Sequence, residues 1–303
     1  MLRRDHWLRH IARLDPVTDY EEIYRVTVTH EFPWDMNQAL SFALFRTYAV
    51  PSIGRLLDET GEFARDTQKR YDDTALLLEP PGLRGFDHPD SRTAIRRINQ
   101  MHRSYDIPNE QMRYVLSTFV VVPKRWNDDY GKRLLTRNEI DATVNYYRTL
   151  GKHMAITDIP ETYEEFEELM DSYEAEHFAF DPGGRRVADV TLGLVTTFYP
   201  KPLARAVELF SRALMDEPLL RAFRYDVPHP LVVRASRAAL RLRGRLLRFA
   251  PARRRPKTVH DFSFVRSYPD GFDLAQLGTF PAGCPVPHAG ADETAPTDRE
   301  HTA

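Results

Sequence analysis

Apolar residues recur every three or four positions through most of this chain, and almost nowhere do they alternate one for one with polar residues. The first spacing lines side chains along one face of a helix, whereas alternation marks a half-buried strand, so the pattern predicts an all-α fold. Helix-start chemistry points the same way. Thr136 stands three residues ahead of Glu139 and Thr162 three ahead of Glu165, the spacing at which a hydroxyl and a carboxylate cap each other's backbone amides. Helices are therefore expected over 137–153 and 163–178, over 109–122 with an end or kink at Pro123, and at about 37–60, 91–104, 186–199, 202–215 and 230–249.

No repeat of fixed period and no Gly/Ser-rich linker divides the chain, which predicts a single helical domain over 30–280 with a helical extension, 1–29, ahead of it. Residues 281–303 are expected to form a disordered tail, because they combine Pro, Ala, Gly and charge with too few apolar groups to order themselves. A chain of 303 residues is long enough to bury a core that encloses a ligand. With 42 Lys+Arg against 44 Asp+Glu there is no global field to attract nucleic acid. Cys284 is the only cysteine, which excludes an internal disulfide framework and suits a reducing compartment. The longest strongly apolar run, Tyr114–Pro123, falls far short of the ~20 residues that a membrane-crossing helix needs. In the opening MLRRDHWLRHIARLDP, charge and histidine interrupt the apolar stretch that a leader requires, so a cytoplasmic protein is expected.

Few residues advertise chemistry. No glycine-rich phosphate loop occurs, and Gly183-Gly184 lacks the preceding strand such a loop needs. Cys284 sits among prolines, without the electropositive surroundings of a catalytic thiol. His6 and His10 share a helix face but lack a third metal ligand nearby. Glu174 and His177 form one Glu-x-x-His, half of what a di-iron helical bundle uses, and their plainer reading is an exposed acidic helix end. Arg234, Arg237, Arg241, Arg245 and Arg248 lie across a helix from Val232, Ala235, Ala239, Leu242, Leu246 and Phe249. That amphipathic segment is expected to pack its apolar side on the core or, with Arg253, Arg254 and Arg255, to make peripheral membrane contact over 230–255. His102 closes the basic run AIRRINQMH; alone, a histidine beside an apolar face is more often a hydrogen-bonded residue than a ligand. RYDDT at 70–74 joins a cation, two carboxylates and a hydroxyl. Its plainest reading is a solvated turn in which Arg70 pairs with Asp72 or Asp73, for ~0–1 kcal/mol.

Taken in order, KRYDDTALLL (69–78), AIRRINQMH (94–102), YVLSTFVVVPKRW (114–126) and GKHMAITDIPETYEEF (151–166) resemble the MpaB and rubber-oxygenase catalytic-domain family. FALFRTYAVPSIGRLL (42–57) and SYPDGFDLAQLGTFP (267–281) fit it too, so the resemblance covers roughly 30–281. It implies a helical fold with a globin-like core, haem b as cofactor, dioxygen as co-substrate, and attack on a carbon–carbon double bond of an apolar isoprenoid or lipid-like small molecule. It implies His102 as the proximal iron ligand, with Arg70, Asp73 and Thr74 standing on the opposite side as the counterpart of the family's Arg-x-x-Lys-Thr motif. Asp73 takes the place of that lysine. A carboxylate beside an arginine pairs with the guanidinium rather than with iron, which leaves the far position open for dioxygen and puts a rubber-like substrate in question. Arg46 and Arg97 are the arginines expected to pair with haem propionates. Phe42, Phe45, Tyr48, Tyr114 and Phe119 are candidate walls of an apolar channel. Two rivals stand beside this reading: a helical carrier of haem or lipid without turnover, which would tolerate loss of Arg70, and a non-haem di-iron oxidase built on Glu174 and His177. The residues specify no oligomeric state.

Overall fold

Proline and capping chemistry set the element boundaries in the computed structural model, which describes residues 2–278; every regular element among them is helical. In chain order the α-helices are α1 (His6–Ile11), α2 (Tyr20–Val26), α3 (Pro33–Thr47), α4 (Pro51–Glu59), α5 (Glu62–Arg84), α6 (Pro89–Arg103) and α7 (Asn109–Tyr130). There follow α8 (Arg137–His153), α9 (Tyr163–His177), α10 (Pro182–Thr196), α11 (Ala204–Leu214), α12 (Glu217–Phe223) and α13 (Pro230–Leu247). A single π-helical turn, Thr27–Glu31, extends α2. Helices α3, α4, α6, α10 and α13 each open on a proline, whose missing amide costs nothing where first-turn amides have no partner in any case. Both expected capping boxes form, Thr136 with Glu139 and Thr162 with Glu165.

Three boundaries differ from those the spacing predicts. The helix expected at 37–60 divides into α3 and α4, because Pro51 cannot sit mid-helix and holds Val50 in extended backbone (φ −85°, ψ 115°). Helix α7, by contrast, continues through Pro123 to Tyr130. It is the central helix, buried at Tyr114 and from Leu116 to Val121, and it packs against α3, α8, α9 and α13. That burial outweighs the ~3 kcal/mol an internal proline costs. The third difference is RYDDT itself, which is helix and not turn. It lies on α5, beyond a backbone break at Asp66 (φ −153°, ψ 74°). The tail expected at 281–303, with Cys284, lies outside the described residues.

Close approaches shape the walls around the centre. Helix α4 crosses α10 where Gly54 meets Gly184: a β-carbon on Gly54 would lie 2.6 Å from the Gly184 Cα, so only glycine permits the crossing. Ahead of α3, Tyr24 stacks on Tyr146 at 3.7 Å between ring centres and shares a 2.9 Å hydrogen bond with the Tyr147 hydroxyl. Helix α13 seats on α7 through Leu240 and Gly244, with Ser236 buried on the same side; a β-carbon on Gly244 would lie 2.4 Å from the Tyr130 carbonyl oxygen. The seated face is therefore not the one the spacing marks as apolar, since Leu242, Leu246 and Phe249 are exposed. After α13 the chain returns over α5 and α6, and Leu277 is buried against Leu76, Leu77, Ala94 and Ile98. No helix among the described residues is long and apolar enough to cross a membrane.

Candidate functional site

Between α4, α5, α6, α7 and α10 lies a cavity of about 260 Å³, walled by Leu56, Leu57, Leu77, Ile98, Met112, Val115 and Leu116 among others. Its lining is largely apolar, as in sites that take small organic ligands. Of the lining residues only Arg70 carries a fixed positive charge, and His102 is the one imidazole. Arg70 and Thr74 come from α5 and His102 from α6. Four residues apart on a helix, Arg70 and Thr74 share a face, and both line the cavity. The Arg70 Nη1 donates to the Thr74 hydroxyl, and that hydroxyl donates to the Arg70 carbonyl oxygen at 3.0 Å. The Thr74 proton is thus committed to its own helix, while its oxygen orients the guanidinium. The same guanidinium lies over the Phe63 ring, 5.6 Å from its centre.

His102 is enclosed by protein apart from the cavity it lines, and its Nδ1 is buried with no hydrogen-bond partner. Desolvation, reinforced by the nearby charge of Arg70, holds the imidazole pKa down to about 4, against the pull of the Ile98 backbone one turn back. The ring is therefore neutral near pH 7, the form in which an imidazole ligates a metal. A consequence for stability follows from the sign of this shift. Between about pH 6.5 and pH 4 the unfolded chain binds a proton that the folded chain does not, so stability is lost as pH falls through that window, by about 3 kcal/mol at most. His102→Leu is expected to flatten this part of the stability–pH curve in urea unfolding. Parallel curves for the two proteins would show that the ring is not buried in its neutral form.

The remaining site residues separate from this pair. Asp73 is 1% exposed and does not line the cavity; it accepts hydrogen bonds from the Lys69 Nζ at 2.6 Å, the Tyr268 hydroxyl and the Gly278 amide at 3.1 Å. Asp72 accepts from the Arg266 and Ser267 amides, both at 2.9 Å, the Ser267 hydroxyl at 2.7 Å and the Gln68 Nε2 at 2.8 Å. Neither carboxylate pairs with Arg70. The motif splits by helical geometry: its cation and hydroxyl face the cavity, and its carboxylates hold the returning C-terminal segment.

Arg46 and Arg97 also lie off the cavity. Arg46 is held between Glu174 (Nε to Oε1, 2.9 Å) and Asp216, and Glu174 also accepts from the Tyr114 hydroxyl at 3.1 Å. Arg97 is buried and donates its Nε to the Leu277 carbonyl. His177 places Nδ1 3.0 Å from the Tyr173 carbonyl, and among the described residues no three His, Cys, Asp or Glu side chains are grouped to hold a metal ion. His10 bonds Glu22 at 2.8 Å, and His6 packs against the Trp7 ring. Of the aromatic walls expected, Tyr48 and Phe119 line the cavity. Phe42 packs on Trp126 and Phe45 on Phe223, while Tyr114 turns to Glu174. Sequence reasoning missed further polar lining residues, among them Thr47, Thr60, Glu62, Thr67, Tyr71, Gln111 and Thr191. The signal for Tyr71 was its place inside RYDDT; for the others there was none.

Residues 36–249 match the family model described as ER-bound oxygenase mpaB/B'/Rubber oxygenase, catalytic domain. The chain is 30% identical over 221 residues to ER-bound oxygenase mpaB' of Penicillium brevicompactum, a stretch covering 66% of this chain and 52% of that protein. It is 30% identical over 231 residues to ER-bound oxygenase mpaB of the same organism, covering 69% and 58%. With ER-bound oxygenase mpaB of Penicillium roqueforti it shares 29% identity over 232 residues, covering 69% and 77%. The chain thus spans somewhat more than half the length of the first two relatives. Arg70, Thr74 and His102 all fall within the matched residues.

Proposed function

The chain belongs to the mpaB/rubber oxygenase catalytic-domain family, and from that premise we propose that it is an oxygenase that uses haem b and dioxygen to oxidise or cleave a carbon–carbon double bond of an apolar isoprenoid or lipid-like molecule. The observation that carries the reading is His102, a neutral imidazole with an orphaned Nδ1 on the wall of an apolar cavity. A neutral imidazole on an apolar wall, with no protein group bonded to its buried Nδ1, is chemically able to hold haem iron. Haem iron, when bound, supplies the activation of dioxygen. The chain's own residues do the rest. The apolar walls exclude water and admit a substrate with few hydrogen-bonding groups. Arg70 offers a fixed cation where negative charge develops during reaction, and Thr74 positions that cation.

The test is to load the purified chain with haem, mix it anaerobically with unsaturated polyprenyl compounds, admit oxygen and follow uptake and product mass. Turnover is expected with at least one compound. Arg70→Leu is expected to lower kcat by about 10²–10³-fold with KM little changed, the loss seen when an electrostatic donor is removed. No uptake with any of the compounds would overturn the proposal in favour of a helical carrier of haem or lipid.

A further inference from the structure

We propose that the outward face of α13 docks in the plane of an anionic phospholipid membrane. The inference is independent of what the cavity holds. Leu231, Leu242, Leu246 and Phe249 are 65%, 55%, 63% and 77% exposed. With Ala235 and Ala238 exposed between them, they follow the helical repeat along one side of the segment. Single exposed apolar residues are ordinary on a protein surface, but a stripe running the whole length of a helix marks an interaction face.

The helix cannot roll over to bury this stripe, because the opposite face is fastened. Gly244 meets the Tyr130 carbonyl, and Arg243 pairs with Asp35 at 2.8 Å while lying 3.8 Å over the Trp34 ring. Arg237 reaches the Ala213 and Met215 carbonyls, both at 3.3 Å. Two arginines that an amphipathic pattern would assign to water are thereby turned toward protein.

Charge identifies the occupant. Between Asp226 and Asp261 there is no acidic residue, against nine arginines and one lysine. Arg234, Arg241 and Arg245 are exposed along one border of the apolar stripe, and Arg253, Arg254 and Arg255 are exposed just beyond the helix end. Apolar side chains flanked by arginines at one height are complementary to acyl chains lying beneath a layer of anionic headgroups, with the long arginine stems reaching up to phosphate. The stripe runs along the outer surface of a helix and not in a groove, which suits a flat bilayer better than the side of another protein. Helix α11, packed against α13, carries exposed Leu209, and Leu203 is exposed just ahead of it.

Full-length protein should be sedimented with vesicles of phosphatidylcholine alone and of phosphatidylcholine mixed with phosphatidylglycerol. It is expected to partition onto the mixed vesicles and to be released by salt. The double variant Leu246→Glu, Phe249→Glu is expected to lower that partitioning by about tenfold or more, with thermal unfolding unchanged because both side chains are exposed. Equal binding of parent and variant, or binding of the parent to neither vesicle, would overturn the proposal. So would self-association of the parent that the double variant abolishes while vesicle binding is absent, since the face would then be a contact between copies of the chain.

Discussion

Replacing His102 with alanine is expected to abolish retention of haem. Purified with haem supplied, the parent should show an intense Soret band with roughly one haem per chain, as a half-buried neutral imidazole on an apolar wall allows. In His102→Ala the affinity should fall by about a hundredfold or more, beyond the 10–100-fold that loss of a ligand's supporting hydrogen bond costs. Free imidazole added to the variant should restore the band, because the deleted ring leaves a space of its own shape beside the cavity. That rescue separates ligation from folding, as a merely structural histidine would not make haem binding depend on added imidazole. An unchanged haem complement and an unchanged spectrum in His102→Ala would remove the ligand assignment, and with it the chemistry proposed for the site.

How much of this was legible beforehand depended on whether the deciding contacts were local. The capping boxes at Thr136 and Thr162 are local, and both formed as spacing required. Helix α5 went unseen because Pro80 and Pro81 lie within it and Asp66 breaks its first turn. Once α5 is known to be helical, the division of RYDDT follows, since positions 70 and 74 share a face that 72 and 73 do not. The partners of Arg46 were beyond reach: Glu174 and Asp216 are more than a hundred residues away and meet it only through α9 and the segment after α11. Arg97 likewise finds Leu277 from the far end of the chain. For α13 the spacing correctly marks an amphipathic helix but not which side the fold uses. Gly244, unremarkable by hydropathy, decides that by allowing backbone to approach backbone, with the small Ser236 buried on the same side.

The second large effect concerns the two carboxylates of the motif. Asp72 gathers four donors and Asp73 three, and most of these come from the segment between Phe264 and Gly278 or hold it in place. Removing a buried acceptor strands its donors, at about 1–3 kcal/mol for each buried group left unpaired, with more when the lost group is charged. In Asp72→Ala the Arg266 and Ser267 amides lose their shared partner, and in Asp73→Ala the Gly278 amide and Tyr268 hydroxyl lose theirs. The double variant is therefore expected to release the segment, because undocking it exposes those donors to water at less cost than keeping them buried. The loss should be about 3–5 kcal/mol, limited by the free energy of undocking. Amide hydrogen exchange gives the direct readout: protection at Arg266, Ser267 and Gly278 should collapse while that of α7 persists. The change should also reach the cavity, since Leu277 packs on Leu77 and Ile98, which line it. With their backing removed, haem retention should weaken even though His102 and Arg70 are untouched. Amides at 266 and 267 that stay protected in the double variant would show that apolar packing by Leu277, and not the carboxylate pair, holds the segment down.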